Sequence, residues 1–244
     1  MNKARITLDV ALTIDSATSL DRKGCAVCVI DVLRATSTIA KALDSGAEAV
    51  YPVSGIDAAR AAASELAPAL LCGERLGVRP EGFDLGNSPL EYTKERVAGK
   101  RIVLATTNGT KALGRYCDAD RLCAGSLLNA TAVAEYLLST GKDIILVSAG
   151  QDGAFGAEDA ICAGLIAERI AREGAEYTDS AWAAITAYKA CRHDMEGSVR
   201  KCDHAVYLEH EGFGDDIGYC SKTDIMKVVP VAAHHNGRIA IKKA

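Results

Sequence analysis

The sequence has no excess of basic residues: 28 lysines and arginines stand against 32 aspartates and glutamates, a net charge of −4. Nucleic-acid binding needs a basic face, so the balance gives no reason to expect DNA or RNA as a partner. No apolar run approaches the ~20 residues that span a bilayer. Residues 1–15 alternate and carry Asp9 and Asp15, unlike a signal peptide. These absences predict a cytoplasmic protein with no membrane partner. No proline- or serine-rich linker interrupts the 244 residues, so the chain is read as one domain, 1–244. Two nucleotide signatures are also missing, the Walker A sequence and a G-x-G-x-x-G after a strand, which weighs against nucleotide binding.

The nine cysteines are odd in number and mostly sit in apolar runs. They read as reduced core thiols, not a disulfide framework. Cys25 and Cys28 form a C-x-x-C inside a strand-like run. Residues three apart on a strand point to opposite faces, so the pair is not a zinc half-site.

What is present is a repeated rhythm of strand, polar loop and helix. Strands are predicted at 5–13, 26–32, 47–53, 69–72, 101–105, 121–124 and 143–147. Helices are predicted at 39–43, 56–66, 90–97, 111–116, 130–138 and 158–172. The first helix has Thr36 to Thr38 as candidate caps. The run 26–72 reads as a βαβαβ unit. From residue 179 the rhythm changes: 181–191 and 199–210 look helical, and 225–231 and 238–241 are candidate terminal strands. The pattern predicts an α/β fold, three layers (α/β/α) on a mostly parallel sheet, with two similar lobes sharing that sheet. The apolar stretch 181–191 suits either a homodimer interface or an internal core.

The stretch 73–88 fits neither helix nor strand period. A loop of about 16 residues directly after a strand is longer than usual, and such loops are often functional. In open α/β sheets ligands bind outside the carboxyl ends of the strands. Three other strand ends, at Asp31 to Thr38, Thr106 to Thr110 and 148–159, finish in small polar residues that start a helix. Free N–H groups at helix starts attract anions. Hydroxyls of Thr36, Thr106, Thr107 and Thr110, with Asn108, add polar contacts, and Gly109 lets the backbone approach closely. Arg34 and Arg75 are each suited to clamping an anionic oxygen with two hydrogen bonds. Five carboxylates join them: Asp31, Glu74, Asp84, Glu158 and Asp159. Oxygen-rich sets of this kind suit Mg²⁺. Each has a plainer reading: Asp31 as the ion-pair partner of Arg34 or Arg75, and Glu158–Asp159 as acids complementing a helix dipole.

Two familiar phosphatase patterns fail. Asp31-Val-Leu-Arg-Ala-Thr has Leu33 where aspartyl-phosphate phosphatases have a second acid. Cys28 and Arg34 match Cys-x5-Arg by count, but the intervening residues are a strand, not a glycine-rich cradle. The five histidines fall late, outside these loops; His234–His235 is weighed as a metal pair and read as a surface or tail pair.

At these residues the chain resembles the ComB-type 2-phosphosulfolactate phosphatases. The resemblance rests on Asp31-Val-Leu-Arg-Ala-Thr-Ser-Thr38, Gly73-Glu-Arg, Gly82-Phe-Asp-Leu-Gly-Asn-Ser-Pro89 and Thr106-Thr-Asn-Gly-Thr110. It continues through Ala149-Gly150, Glu158-Asp159, Cys162-Ala-Gly164, Asp216-Ile-Gly-Tyr-Cys220 and Val229-Pro230. It implies a Mg²⁺-dependent hydrolase releasing phosphate from 2-phosphosulfolactate, a step of coenzyme M biosynthesis. In that scheme Asp31, Arg34, Glu74 and Arg75 are catalytic, and the ion is held by some of Asp31, Glu74, Asp84, Glu158 and Asp159. Thr36, Asn87, Ser88 and the 106–110 turn contact the small anionic phosphate ester. The nucleophile is either metal-activated water or the Asp31 carboxylate. A related phosphatase for another monoester, or a non-catalytic organic-phosphate-binding protein, are the competing expectations.

Overall fold

The computed structural model describes residues 5–16, 18–235 and 238–244; the side chains of His234 and His235 lie outside the described set. In chain order the elements begin with β1 (Thr7–Ala11), β2 (Ala26–Ile30), α1 (Ala35–Asp44), β3 (Ala49–Val53), α2 (Ile56–Glu65) and β4 (Ala69–Gly73). After the long loop come α3 (Lys94–Val97), β5 (Arg101–Ala105), α4 (Gly109–Arg115), β6 (Arg121–Gly125), α5 (Ala130–Ser139) and β7 (Ile144–Ser148). The chain closes with α6 (Ala157–Arg172), β8 (Glu176–Tyr177), α7 (Asp179–Cys191), α8 (Met195–Val199), α9 (Asp203–His210), α10 (Gly214–Cys220), β9 (Pro230–His235) and β10 (Arg238–Lys243).

All ten strands form one sheet in the order β4-β5-β3-β10-β9-β6-β2-β7-β1-β8. Two parallel blocks, β4-β5-β3 and β6-β2-β7-β1-β8, flank the β9–β10 hairpin. Three successive junctions, β3–β10, β10–β9 and β9–β6, are antiparallel. An odd number of reversals makes the strands of one block run opposite to those of the other.

The central strands are apolar on both faces because helices cover both. Ala26, Cys28 and Ile30 of β2 join Ile144 and Leu146 of β7 in one core under α5, α6 and α7. Val27, Val29, Ile145 and Val147 face the opposite core. That second core also takes Ile102 and Leu104 of β5, Cys72 of β4, and Ile39, Leu43, Ala112 and Leu113 of α1 and α4. Both blocks therefore turn one face onto the same two helices. Under α2 the other face of the smaller block packs Tyr51, Val103 and Ala59. Cys25 and Cys28 are free thiols and lie in different cores, as alternation requires. No helix among the described residues is long and apolar enough to cross a membrane.

Several expectations are corrected. The 26–72 run is not a consecutive βαβαβ sheet: β5 lies between β3 and β4, and three strands separate β2 from β3. Helical and strand periods do not encode which strand a crossover lands beside. Segment 90–97 is no continuous helix. A 3₁₀ turn at Pro89–Glu91 stops at Tyr92, whose fully buried ring sends its Oη to the Gly86 carbonyl at 2.7 Å. Helix α1 begins at Ala35, four residues early, and no Thr or Ser caps it. Thr36, Ser37 and Thr38 instead turn their hydroxyls onto the carbonyls of Asp31, Val32 and Asn87, and Asp31 Oδ1 accepts from Ala35 N–H at 3.1 Å. Segment 199–210 is two helices broken by the extended Cys202. The 181–191 stretch packs Ala181, Ala184 and Ile185 into the core shared with α6.

Gly164 makes that helix pair possible, since a Cβ there would stand 2.0 Å from the Ala184 carbonyl oxygen. Overpacking against backbone costs up to about 3 kcal/mol, while alanine gains ~1 kcal/mol of helix propensity over glycine. Gly164→Ala is therefore expected to destabilise by about 2 kcal/mol. Gly114→Ala, at an exposed α4 site with nothing within 4 Å, should stabilise by ~0.5–1 kcal/mol. Urea denaturation midpoints of the two variants, moving in opposite directions, check the packing.

Candidate active site

Four strand ends converge on one cleft of about 180 Å³. Asp31, Leu33 and Arg34 follow β2; Glu74, Leu76 and Gly77 follow β4; Thr106, Thr107 and Asn108 follow β5; Gln151 and Asp152 follow β7. Asn87 from the long loop, with His204 and Tyr207 from α9, completes the wall. The two blocks run oppositely, yet their carboxyl ends meet here because both wrap the α1–α4 core.

Asp31 is 6% exposed, and among the described residues it has no ion-pair partner. Its carboxylate accepts from Ala35 N–H and from the Gly109 backbone. Gly109 is required there, since a Cβ would come within 2.6 Å of Asp31 Oδ2. Burial pushes the Asp31 pKa up to about 7, helped by the negative charges of Glu158 and Glu74 and opposed by those two N–H groups. The guanidinium of Arg34 lies elsewhere. Its Nη1 bonds Asp216 Oδ2 at 2.6 Å, its Nη2 donates to the Gly77 carbonyl at 2.5 Å, and it stacks on Phe213 at 4.1 Å. The ion pair between Asp31 and Arg34 or Arg75 that the sequence suggested is thus replaced by Arg34–Asp216.

Glu74 bridges two loops: Oε1 accepts from Thr107 N–H and Oγ1, and Oε2 from Gly77 N–H. Asp159 is buried below the cleft, with Oδ1 on Val32 N–H and Oδ2 on Gly150 N–H. Burial, then Glu158 and Asp31, raise its pKa well above the usual range. Glu158 is buried as well, and burial raises its pKa. His204 Nδ1 stands 3.8 Å from Glu158, but burial and the nearby Arg34 charge lower the imidazole pKa. At neutral pH the pair is therefore a contact of a neutral imidazole, not a salt bridge.

Other sequence candidates fall outside the cleft. Arg75 is exposed, near Ser54 and Gly55 on the far side of Glu74. Asp84 is exposed and its Oδ2 accepts from Leu71 N–H, pinning the long loop beside β4. Thr36 and Thr110 use their hydroxyls on backbone carbonyls, and Ser88 Oγ donates to Asp216 Oδ1 at 2.6 Å. Asn87 remains in the wall, 5% exposed, and its Oδ1 has no hydrogen-bond partner among the described residues. Asn108 gives its Oδ1 to Asp152 N–H and leaves Nδ2 as a donor.

His204 lies late in the chain and outside the polar loops, as the sequence showed, yet it joins the wall of the cleft. No local signal marked His204 or Tyr207; α9 reaches the cleft only through tertiary packing. Gln151 and Asp152 had a signal, their position in a polar loop directly after a strand. Asp216 lay in a family-like segment with no role attached.

Comparison with known proteins agrees over most of the chain. The profile of the family described as 2-phosphosulpholactate phosphatase matches residues 12–235. A probable 2-phosphosulfolactate phosphatase of Carboxydothermus hydrogenoformans is 42% identical over 220 residues, covering 90% of this chain and 91% of that protein. Proteins with the same name from Thermotoga petrophila and a Synechocystis species are 44% and 42% identical, over 88% and 84% of this chain and 91% and 88% of their own lengths.

The raised Asp31 pKa carries a stability consequence. Unfolded Asp31 loses its proton near 3.8, whereas the folded residue keeps it to about 7. Between those values the folded state binds more protons, so this group's contribution is full below the lower value and is lost as pH rises to the upper one. In chelator-treated protein, Asp31→Asn should remove that part of the fall in unfolding free energy. Parallel pH–stability curves for parent and variant would count against the assignment.

Proposed function

The chain belongs to the 2-phosphosulfolactate phosphatase family, and from that premise we propose that it hydrolyses 2-phosphosulfolactate to sulfolactate and inorganic phosphate with Mg²⁺ as cofactor. The observation that carries the cofactor is the charge of the cleft. Asp31, Glu74 and Asp152 line it against a single guanidinium, that of Arg34, itself paired with Asp216. A multiply anionic ester would be repelled from such a cleft unless a cation bridged them. Among the described residues no three acidic, histidine or cysteine side chains are arranged as an all-protein metal cage. Mg²⁺ typically asks for less: one or two carboxylates, with water and substrate phosphate oxygens for the rest. Asp31, open to the cleft and free of any basic partner, fits as the principal ligand, with Glu74 beside it. Bound there, Mg²⁺ would neutralise charge on the transferring phosphoryl group and acidify water.

The chain's own groups supply the rest. Two N–H groups of Arg34 are taken by Asp216 and Gly77, and the guanidinium carries five. Arg34 therefore lines the cleft with N–H groups to spare for a phosphoryl oxygen, alongside Asn108 Nδ2 and the Thr106 hydroxyl. Fixed donors of this kind stabilise charge as it develops. A water oxygen adds to phosphorus, the ester P–O bond breaks, and the sulfolactate oxygen leaves with a proton. Asn87 Oδ1, buried and without a hydrogen-bond partner among the described residues, is an acceptor that a bound water would satisfy, and such a group is costly to leave empty. The odd number of cysteines, most of them in apolar runs, supports a reducing, cytoplasmic setting. A place in coenzyme M biosynthesis belongs to the same proposal and rests on the family resemblance.

Purified protein should release phosphate from 2-phosphosulfolactate faster than from other monoesters, and chelator should abolish release until Mg²⁺ is restored. Asp31→Asn should cut turnover at least ~100-fold. Unchanged turnover with chelator would remove Mg²⁺ from the proposal. Release from other esters alone would remove the substrate.

A further inference from the structure

We infer that Asp216 is the positioning residue for Arg34, the carboxylate that holds its guanidinium in the cleft wall. The two are 182 residues apart in sequence and meet at 2.6 Å, with both side chains almost fully buried. Asp216 does not line the cleft, and each of its oxygens has a fixed donor: Oδ2 takes Arg34 Nη1 and Oδ1 takes Ser88 Oγ, both at 2.6 Å. It therefore acts on substrate through Arg34 alone. Phe213, from the turn that opens α10, closes over the guanidinium plane at 4.1 Å, and the Gly77 carbonyl takes Nη2. Three partners from two distant segments fix a planar fork with N–H groups to spare. A planar, rigid fork gains its selectivity for phosphoryl oxygens from its orientation. An arginine left to its own rotamers would fold toward the Asp31 carboxylate, where it would compete with a bound cation. The inference places Ser88, expected from sequence as a substrate contact, one step further back as the anchor of Asp216.

The test is side-chain ¹⁵N NMR of the guanidinium groups, with Arg34→Lys identifying the Arg34 signals, together with steady-state kinetics on the phosphate ester. In the parent protein the held Arg34 Nη groups should rotate slowly and give resolved resonances. Asp216→Asn is isosteric, keeps an acceptor for Ser88 and turns an N–H group toward Nη1. It should broaden or shift those resonances and lower kcat/KM about 100-fold, as for a catalytic group moved from its place. In the Arg34→Lys background the same change should cost less than about 3-fold, because the partner it positions is already gone. Equal losses in both backgrounds, or unchanged Arg34 resonances, would overturn the inference. If Asp216→Asn fails to fold, Asp216→Glu decides: it keeps the charge but moves the carboxylate by one methylene, and it should shift the Arg34 resonances, whereas unaltered signals overturn the assignment. The kinetic arm rests on the phosphatase reading and the NMR arm does not. Altered resonances in a protein that hydrolyses no ester would keep the positioning role and discard the substrate. Unaltered ones with lost turnover would do the reverse.

Discussion

The buried pair between Arg34 and Asp216 is the contact on which the arrangement of the cleft depends. It joins the end of β2, the loop after β4 through Gly77, and α10 with Phe213. Removing one partner of a buried pair typically costs about 3–5 kcal/mol, a large part of the 5–15 kcal/mol that holds a whole domain together. The late helices dock around it. Leu208 of α9 and Ile217 of α10 sit in the same core as Cys28 and Leu33, and this docking brings His204 and Tyr207 to the cleft. The same pair therefore holds the C-terminal helices over the strand ends and aims the one guanidinium that lines the cleft among the described residues.

Beneath the cleft the protein carries a load that works against stability. Asp31, Glu158 and Asp159 are each less than a tenth exposed, and burial raises all three pKa values. Backbone N–H groups of Ala35, Val32 and Gly150 offset part of the cost. No basic side chain reaches Asp31 among the described residues. Perturbed carboxyls concentrated under a cleft are the mark of a functional site more than of a structural ion-pair network. A core built only for stability would have put apolar groups there. The contrast with Asp9 is instructive: it is less deeply enclosed, and although burial pushes its pKa up, hydrogen bonds from Thr178, Ser19, Ser180 and Val10 together bring it below the usual value.

Seven strands and most helices were legible in the sequence because period and turn chemistry are properties of neighbouring residues. The apolar runs of β2 and β7, the polar strand ends and the long loop after β4 needed no partner to be recognised. The resemblance to the phosphatase family was legible for the same reason, since its motifs are contiguous. The strand order was not legible, nor was the odd number of reversals between the two blocks, because apolar alternation says which face is buried and not against what. Arg34 and Arg75 looked equivalent on paper, as did Asp31 and Asp84. Tertiary contacts separated them: Asp216, 182 residues away, captured Arg34, while Asp84 was used on the Leu71 backbone and Arg75 was left in solvent. The sequence by itself determined the secondary elements and the chemical types at the strand ends, through interactions spanning a few residues. Only the tertiary structure decided which of those groups share a cleft, because that depends on packing between segments tens to nearly two hundred residues apart.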